Sequence, residues 1–107
     1  MICRVEMSAR AERDRDHAYQ WYADNYSLGF AARWYNGLTD SIRSLRENPL
    51  RCAKAHESDQ FPFELRELLF GKGRNKHRIL FTLRDERVFI LHIRHSAQRN
   101  LSEDDLQ

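Results

Sequence analysis

Histidines and cations, the side chains best suited to holding anions or moving protons, are concentrated between residues 63 and 99. Three of the five histidines lie there, and residues 61–100 hold nine basic and four acidic side chains, a net charge of +5 in a chain whose total is +2. A local field of this sign attracts polyanions or an acidic protein partner. Cations on solvated strand edges, where they oppose aggregation, would give the same count. The charge pattern alone leaves both interpretations open.

The spacing of these residues argues against several common kinds of site. His92 and His95 are three residues apart on a predicted strand, where they point to opposite faces, so a shared metal ion is disfavoured. The chain contains no P-loop, dinucleotide fingerprint, zinc spacing or nucleophile elbow. Cys3 and Cys52 lack C-x-x-C spacing and are interpreted as thiols in a reducing compartment. We therefore predict no metal and no cofactor.

Length and composition favour one small domain. The chain has 107 residues, of which 41% are hydrophobic, enough for one domain over residues 1–107 with one core. No N-terminal run resembles a signal peptide, and no apolar run approaches the roughly 20 residues that span a bilayer. The expected location is the cytoplasm, with no membrane partner.

Apolar spacing predicts the elements that must position the cations. Residues 1–7 alternate weakly, which favours a short, half-buried strand. Ser8 is the predicted N-cap of a helix that runs to about Asn25. A second helix is predicted from about Leu28 to Glu47, on an apolar stripe formed by Phe30, Trp34, Leu38, Ile42 and Leu45. The short connection makes the two helices an antiparallel hairpin.

Three strands are predicted in the second half of the chain, over residues 65–70, 77–84 and 88–95. The turn before the third strand has two possible lengths. A three-residue loop puts two alternating apolar triplets on the face beneath the helices: Ile79, Phe81 and Leu83, and Phe89, Leu91 and Ile93. A two-residue turn would place Ile79 opposite His92 and mix the faces. The pattern favours the three-residue loop, with Arg78 opposite Arg94.

This register predicts a working surface on the side of the sheet away from the helices. Arg78, His92 and Arg94 would lie on that face. The cations of the loop before residue 77 would border one end of this face, and they are Lys72, Arg74 and Lys76. His95 and Arg99 would lie where the last strand ends. The expected surface is open, concave and lined with cations.

The order of several short segments resembles the RelE/ParE superfamily, the toxins of bacterial type II toxin–antitoxin modules, also called plasmid-stabilisation proteins. After the helical hairpin come NPLRC (Asn48–Cys52), LR (Leu65-Arg66), RILF (Arg78–Phe81) and IRH (Ile93–His95). The resemblance covers nearly the whole chain. It implies an α+β fold with an N-terminal strand and an antiparallel helical hairpin packed on a small, mainly antiparallel β-sheet.

The superfamily acts in two ways, and the resemblance leaves both open. RelE-like members cut mRNA, usually within the ribosome, by moving a 2′-hydroxyl onto the adjacent phosphate without a metal. ParE-like members poison DNA gyrase and carry no nuclease constellation. We expect a metal-independent mRNA endoribonuclease that inhibits translation. The alternatives are a gyrase poison and a member that has lost toxicity.

For the nuclease, the resemblance implies two sets of residues. The catalytic set is Arg78, His92, Arg94 and His95. The substrate-binding set is Lys72, Arg74, Lys76 and Arg99. The chemistry needs a proton acceptor and cations that hold the phosphorane charge. Many nuclease members carry a tyrosine after the last strand, but residues 96–107 contain none, so His95 would have to act as base or acid. The implied partner is an acidic antitoxin laid across the hairpin and the basic face.

Overall fold

The order of the elements is that of an α+β protein, with one strand before two helices and three strands after them, which confirms the predicted fold class. The computed structural model describes residues 2–98 and 100–106. Its helices and strands are β1 (Arg4–Met7), α1 (Ala9–Asn25), α2 (Leu28–Ser44), β2 (Arg66–Phe70), β3 (His77–Arg84) and β4 (Arg87–His95).

A serine begins each helix of the hairpin. Ser8 Oγ accepts the N–H of Ala11 at 3.0 Å, and Ser27 Oγ accepts the N–H of Phe30 at 3.0 Å. These bonds satisfy amides that have no partner inside the helix. In the part of the chain that the structure describes, no helix combines the length and the apolar content needed to cross a membrane.

The second helix is shorter than its apolar stripe predicts. It ends at Ser44 rather than at Glu47. After Ser44 the chain tightens into a turn in which Arg46 and Glu47 donate their N–H groups to the carbonyls three residues back, at 3.0 and 3.2 Å, and Glu47 then forms a bridge with Ile2. Arg51 Nη1 also donates to the carbonyls of Ser44 at 3.4 Å and Glu47 at 2.8 Å, and this cation suits the C-terminal end of the helix.

The described strands form one mixed sheet in the order β1-β4-β3-β2. β1 runs parallel to β4, and the other neighbours are antiparallel, so β1 and β2 are the two edges. The helices cover one face of the sheet, here called the helix face. Buried Trp34 and Leu38 of α2 belong there to the same core as Phe81 and Ile90 of the sheet.

The β3–β4 hairpin corrects the predicted turn. Arg84 pairs with Arg87, so the turn has two residues, Asp85 and Glu86. Their φ angles are 51° and 62°. Two left-handed residues in succession are typical of the tight hairpin turns that Asn-Gly usually forms. The residue types therefore concealed the turn, because Glu is uncommon in this conformation.

A β-bulge restores the pairing that the shorter turn would have shifted. Phe81 pairs with Ile90, and the next pair is Leu80 with His92, so Leu91 has no opposite residue on β3. Arg78 consequently faces Arg94, as predicted, although for a different reason. The residues of β4 in the core of the helix face are Val88, Ile90 and Ile93 rather than the predicted Phe89, Leu91 and Ile93.

The opposite side of the sheet, here called the far face, is covered by irregular chain. Its buried apolar residues are Ala55, Phe61, Leu65, Leu80 and Leu101. The connection is tied down by hydrogen bonds from Ala55 N–H to Leu65 O at 2.8 Å and from Glu67 N–H to Ala53 O at 3.1 Å. The expectation of an open, concave surface on this face is therefore wrong.

Candidate functional site

Arg78 lies inside the far face, between two carboxylates. Its side chain is 8% exposed. Nη1 and Nη2 donate to the two carboxylate oxygens of Glu57 at 2.8 and 2.6 Å, and Nε donates to Glu67 at 2.7 Å. A bidentate contact of this kind uses the planar edge of the guanidinium that would otherwise bind a phosphate. The predicted catalytic arginine is thus already paired.

Glu57 is fully buried and connects three segments of the chain. Besides Arg78, it accepts the N–H of Leu101 at 2.9 Å. Burial by itself would raise the pKa of Glu57, but the bonds from Arg78 and Leu101 outweigh burial and lower the pKa from 4.5 to about 2. Hydrogen bonds to Glu57 in turn raise the pKa of Arg78. The pair is ionised near pH 7 and closed to solvent.

Arg94, the register partner of Arg78, is also buried, at 3% exposure. Its Nη1 lies 3.4 Å from His92 Nε2 and 3.9 Å from Asp105 Oδ2. Asp105 belongs to the segment after β4, which folds back over the far face with Leu101 buried beneath it. The two cations converge as predicted, but acidic residues accompany them in the interior.

His92 is 1% exposed and links the sheet to α1. Its Nδ1 lies 2.9 Å from Asp14 Oδ2, and the same oxygen accepts the N–H of Ile93 at 3.0 Å. Burial would raise the pKa of Asp14, but these contacts outweigh it and lower the pKa. Within residues 2–98 and 100–106, no group of three or more His, Cys, Asp or Glu side chains is arranged to hold a metal ion.

A cleft of about 320 Å³ is lined by His95 together with buried His92 and with Asp14 and His17. Half-buried His95 also reaches a second surface cleft, unlike Arg78 and Arg94. This second cleft has a volume of about 260 Å³ and is lined by Ala18, Trp21, Tyr22, Asn75, His77 and His95. His95 Nδ1 accepts the N–H of Ala97 at 3.1 Å, which leaves Nε2 to carry the proton in the neutral ring. This ring is the most exposed member of the predicted catalytic set.

His77 forms the inner wall of the same cleft. Its Nδ1 faces the carbonyl of Asn75 at 3.0 Å, and its ring lies 5.2 Å from that of His95. Burial lowers the pKa of His77 from 6.5 to about 4. His77 is therefore neutral near pH 7 and adds no positive charge to the cleft.

The loop before β3 carries the exposed cations. Lys72 and Arg74 are exposed and Lys76 is half-buried, and no carboxylate of the described residues lies within 4 Å of their charged groups. Gly71 and Gly73 have φ angles of 104° and 57°, which only glycine adopts readily. Arg99 lies outside the described residues, and its role stays a prediction.

The residues that sequence reasoning missed are the acids that neutralise the predicted cations. They are Asp14, Glu57, Glu67 and Asp105. Two of them, Glu57 and Asp105, come from segments with no periodic pattern. Glu67 offered the clearest signal, because it lies on β2 beside the strand that carries Arg78.

The arrangement of strands and helices matches that of a chain in a solved structure. A chain in the solved structure of the chromosomal ParDE TA system from P. aeruginosa superposes with a TM-score of 0.71 at 16% identity, covering 88% of this chain and 96% of that one. No curated protein matches the sequence significantly. The fold is thus that of a ParDE-system protein.

The family model described as the ParE toxin of the type II toxin–antitoxin system, parDE, matches residues 5–100. The chain therefore belongs to this family of type II toxins, which confirms the predicted superfamily.

Proposed function

We propose that this toxin acts by binding DNA gyrase rather than by cutting mRNA. Its membership of the ParE family favours this target. The observation that carries the proposal is the state of Arg78, whose buried guanidinium is bonded to both oxygens of Glu57. A binding toxin needs no such arginine at its surface, whereas the predicted nuclease does.

The energetic cost of freeing Arg78 supports the same conclusion. Phosphoryl chemistry needs cations aimed at the developing charge. A phosphate that reached Arg78 would displace Glu57 and leave a buried carboxylate without its partner, a change that costs about 3–5 kcal/mol. Arg94 is 3% exposed, and His92 is 1% exposed although it borders a cleft.

Purified toxin, DNA gyrase and supercoiled plasmid test the proposal directly. We expect cleaved plasmid to accumulate, and expressing cells to show DNA damage before protein synthesis falls. In a cell-free translation reaction the mRNA should stay intact. Cleavage of that mRNA by wild-type toxin, lost in a folded His95→Ala variant, would contradict the proposal.

The alternative, a metal-independent endoribonuclease, is favoured by one observation. His95 reaches a cleft that adjoins Asn75, and the neighbouring cations Lys72, Arg74 and Lys76 have no carboxylate partner among the described residues. For this mechanism His95→Ala should abolish mRNA cleavage, and Lys72→Ala with Arg74→Ala should weaken RNA binding. A member without toxicity would be inert in both assays.

We infer an acidic antitoxin as the partner and the cytoplasm as the place of action, where gyrase and mRNA are found. Family membership supports a two-component module. A net charge of +2 on the toxin, with unpaired cations on its surface, supports an acidic partner.

A further inference from the structure

β1 presents an unpaired strand edge on the side away from β4. Arg4 donates its N–H to Glu86 O at 3.0 Å, and Ser8 donates its N–H to Ile90 O at 2.9 Å. The even-numbered residues of β1 thus turn their peptide groups towards β4. Because a strand alternates, the peptide groups of Val5 and Met7 point outward.

The beginning of this edge is already paired by the chain itself. Cys3 donates its N–H to Arg46 O at 2.7 Å, and Ile2 forms an isolated antiparallel bridge with Glu47. The segment after α2 therefore starts a fifth strand but leaves β1 after one residue pair. From Val5 onward, no described residue pairs with this edge.

A groove runs between the open edge and α2. Its volume is about 640 Å³, and its lining combines apolar and cationic residues: Ile2, Cys3, Arg4, Val5, Met7, Thr39, Ile42, Arg43 and Arg46. Ile2 is 68% exposed at one end. We call this site the β1 groove.

The arginines of the β1 groove lack strong internal partners. No carboxylate of the described residues lies within 4 Å of the Arg4 or Arg46 guanidinium. Arg43 pairs with Asp40 at 3.5 Å, but these side chains are 62% and 77% exposed, and such a pair is weak in water. The groove therefore keeps its positive charge.

We propose that the β1 groove binds an extended acidic segment of the antitoxin, which adds to β1 as the next strand of the sheet. The inference rests on the proposed module for the existence of that partner. Outward peptide groups of Val5 and Met7 supply backbone hydrogen bonds, the arginines attract carboxylates, and Ile2 and Ile42 receive apolar side chains. Pairing with a second copy is disfavoured, because it would bring two sets of arginines together.

The opposite edge of the sheet offers a matched control. Glu67 donates its N–H to Ala53 O, so the odd-numbered residues of β2 turn outward, and Leu69 is 54% exposed. Half of this edge is covered by Ala53 and by the Lys54–Arg66 bridge. The peptide group of Leu69 thus points outward like that of Val5, but the uncovered part of the β2 edge is shorter.

Amide hydrogen exchange of the toxin, alone and with the antitoxin encoded beside it, tests the inference. We expect the Val5 and Met7 amides to exchange at least about tenfold more slowly in the complex, while the Leu69 amide is unchanged. Protection at Leu69 without protection at Val5 would overturn the inference. If the same protection arose in the toxin alone and grew with concentration, the occupant would be a second copy, which also overturns it.

Two pairs of variants give an independent measurement. Val5→Pro removes an outward N–H, as Leu69→Pro does, but the Val5 side chain also packs against the core, so thermal unfolding first checks that both variants fold. Val5→Pro should then weaken antitoxin binding about tenfold, whereas Leu69→Pro should not. Arg4→Glu with Arg46→Glu should weaken binding by at least about tenfold, and Lys72→Glu with Arg74→Glu should have a smaller effect. The reverse order within either pair would place the antitoxin elsewhere. A purified antitoxin that binds none of these proteins would instead refute the proposed module.

Discussion

The arginines of the far face and those of the β1 groove have the same chemistry and opposite surroundings. Arg78 and Arg94 are buried beside carboxylates contributed by Glu57, Glu67 and Asp105. Arg4 and Arg46 line an open groove, with no carboxylate of the described residues within 4 Å. Arg78 and Arg94 stabilise the packing of irregular chain against the sheet. Arg4 and Arg46 give the groove a positive electrostatic potential that can attract an acidic partner.

The location of a charge in the folded protein matters more here than the count of charges along the sequence. Residues 61–100 carry a net charge of +5, yet part of that charge is cancelled in the interior by Glu57 and Asp105, which lie outside this range. Residues 1–60 have a net charge of zero, and they provide the arginines of the β1 groove. A binding surface thus arises where the local sequence is neutral.

The largest expected effect comes from removing the acid that holds Arg78. Glu57→Ala leaves a buried guanidinium with Glu67 as its remaining bonded carboxylate, so the free energy of unfolding should fall by about 3–5 kcal/mol. Urea denaturation at pH 7 measures this loss. A loss below about 1 kcal/mol would mean that the far face does not depend on this pair.

Glu64→Ala is the matched control for that measurement. Glu64 lies in the same connection and bonds Arg66 at 2.6 Å, but its side chain is 46% exposed. Water screens an ion pair of such an exposed carboxylate, so this variant should be nearly as stable as the wild type. Equal losses in the two variants would mean that burial of the carboxylate does not decide the strength of its pair with arginine.

The pH dependence should separate the far face from the helix face. The pKa of Glu57 is about 2 in the folded protein and 4.5 in the unfolded chain. The contribution of Glu57 to the free energy of unfolding is therefore complete above about pH 4.5 and is lost as pH falls towards 2. The pKa of His77 is about 4 against 6.5, so the unfolded chain takes up the proton first. Because of His77, the free energy of unfolding falls as pH falls from about 6.5 to 4. The difference between the folded and unfolded pKa corresponds to roughly 3 kcal/mol for each of the two residues.

Unfolding measured between pH 7 and pH 2 tests these two ranges. His77→Phe, which keeps a ring beside Tyr22 and Trp34, should flatten the upper range, and Glu57→Gln should flatten the lower one. Asp14, whose pKa is also lowered, contributes to the lower range. A wild-type stability that rises from pH 7 to pH 5 would show that His77 is not held neutral.

The helix face could be predicted from the sequence, because periodic apolar residues report it directly. Ser8 and the stripe from Trp34 to Ile42 located both helices, although α2 ends three residues earlier than predicted, and the strands over 77–84 and 88–95 were found within one residue. The far face could not be predicted, because Glu57 and Leu101 belong to segments without a period. The alternation of side chains along β3 puts Arg78 and Ile79 on opposite faces of the sheet. It does not show whether a face is exposed to solvent or covered by another segment of the chain.

The register of the hairpin shows how two missed features cancelled. The turn is one residue shorter than predicted, and the bulge at Leu91 adds one residue to β4. Asp85 and Glu86 had no glycine to reveal the turn, and the apolar side chain of Leu91 concealed the bulge. Arg78 therefore faced Arg94 despite an incorrect loop.

The turn itself provides a smaller test, because it sets which residues reach each face. Glu86 has a φ of 62°, a conformation that costs a non-glycine residue about 1–2 kcal/mol. Glycine relieves this strain but loses more entropy on folding. Glu86→Gly should therefore stabilise the protein by about 0.5–1 kcal/mol in thermal or urea unfolding. A destabilised variant would indicate a longer loop.

The smallest effect on stability is expected in the β1 groove, and there it should separate from binding. Asp40 forms its exposed ion pair with Arg43 at 3.5 Å, so Asp40→Asn should change the unfolding free energy by less than about 0.5 kcal/mol. The same substitution removes a negative charge beside the groove, so the antitoxin should bind more tightly and associate faster at low salt. Titration calorimetry at two salt concentrations measures the change. Weaker binding by Asp40→Asn would mean that the groove does not select an acidic segment, and that the comparison of its arginines with those of the far face fails.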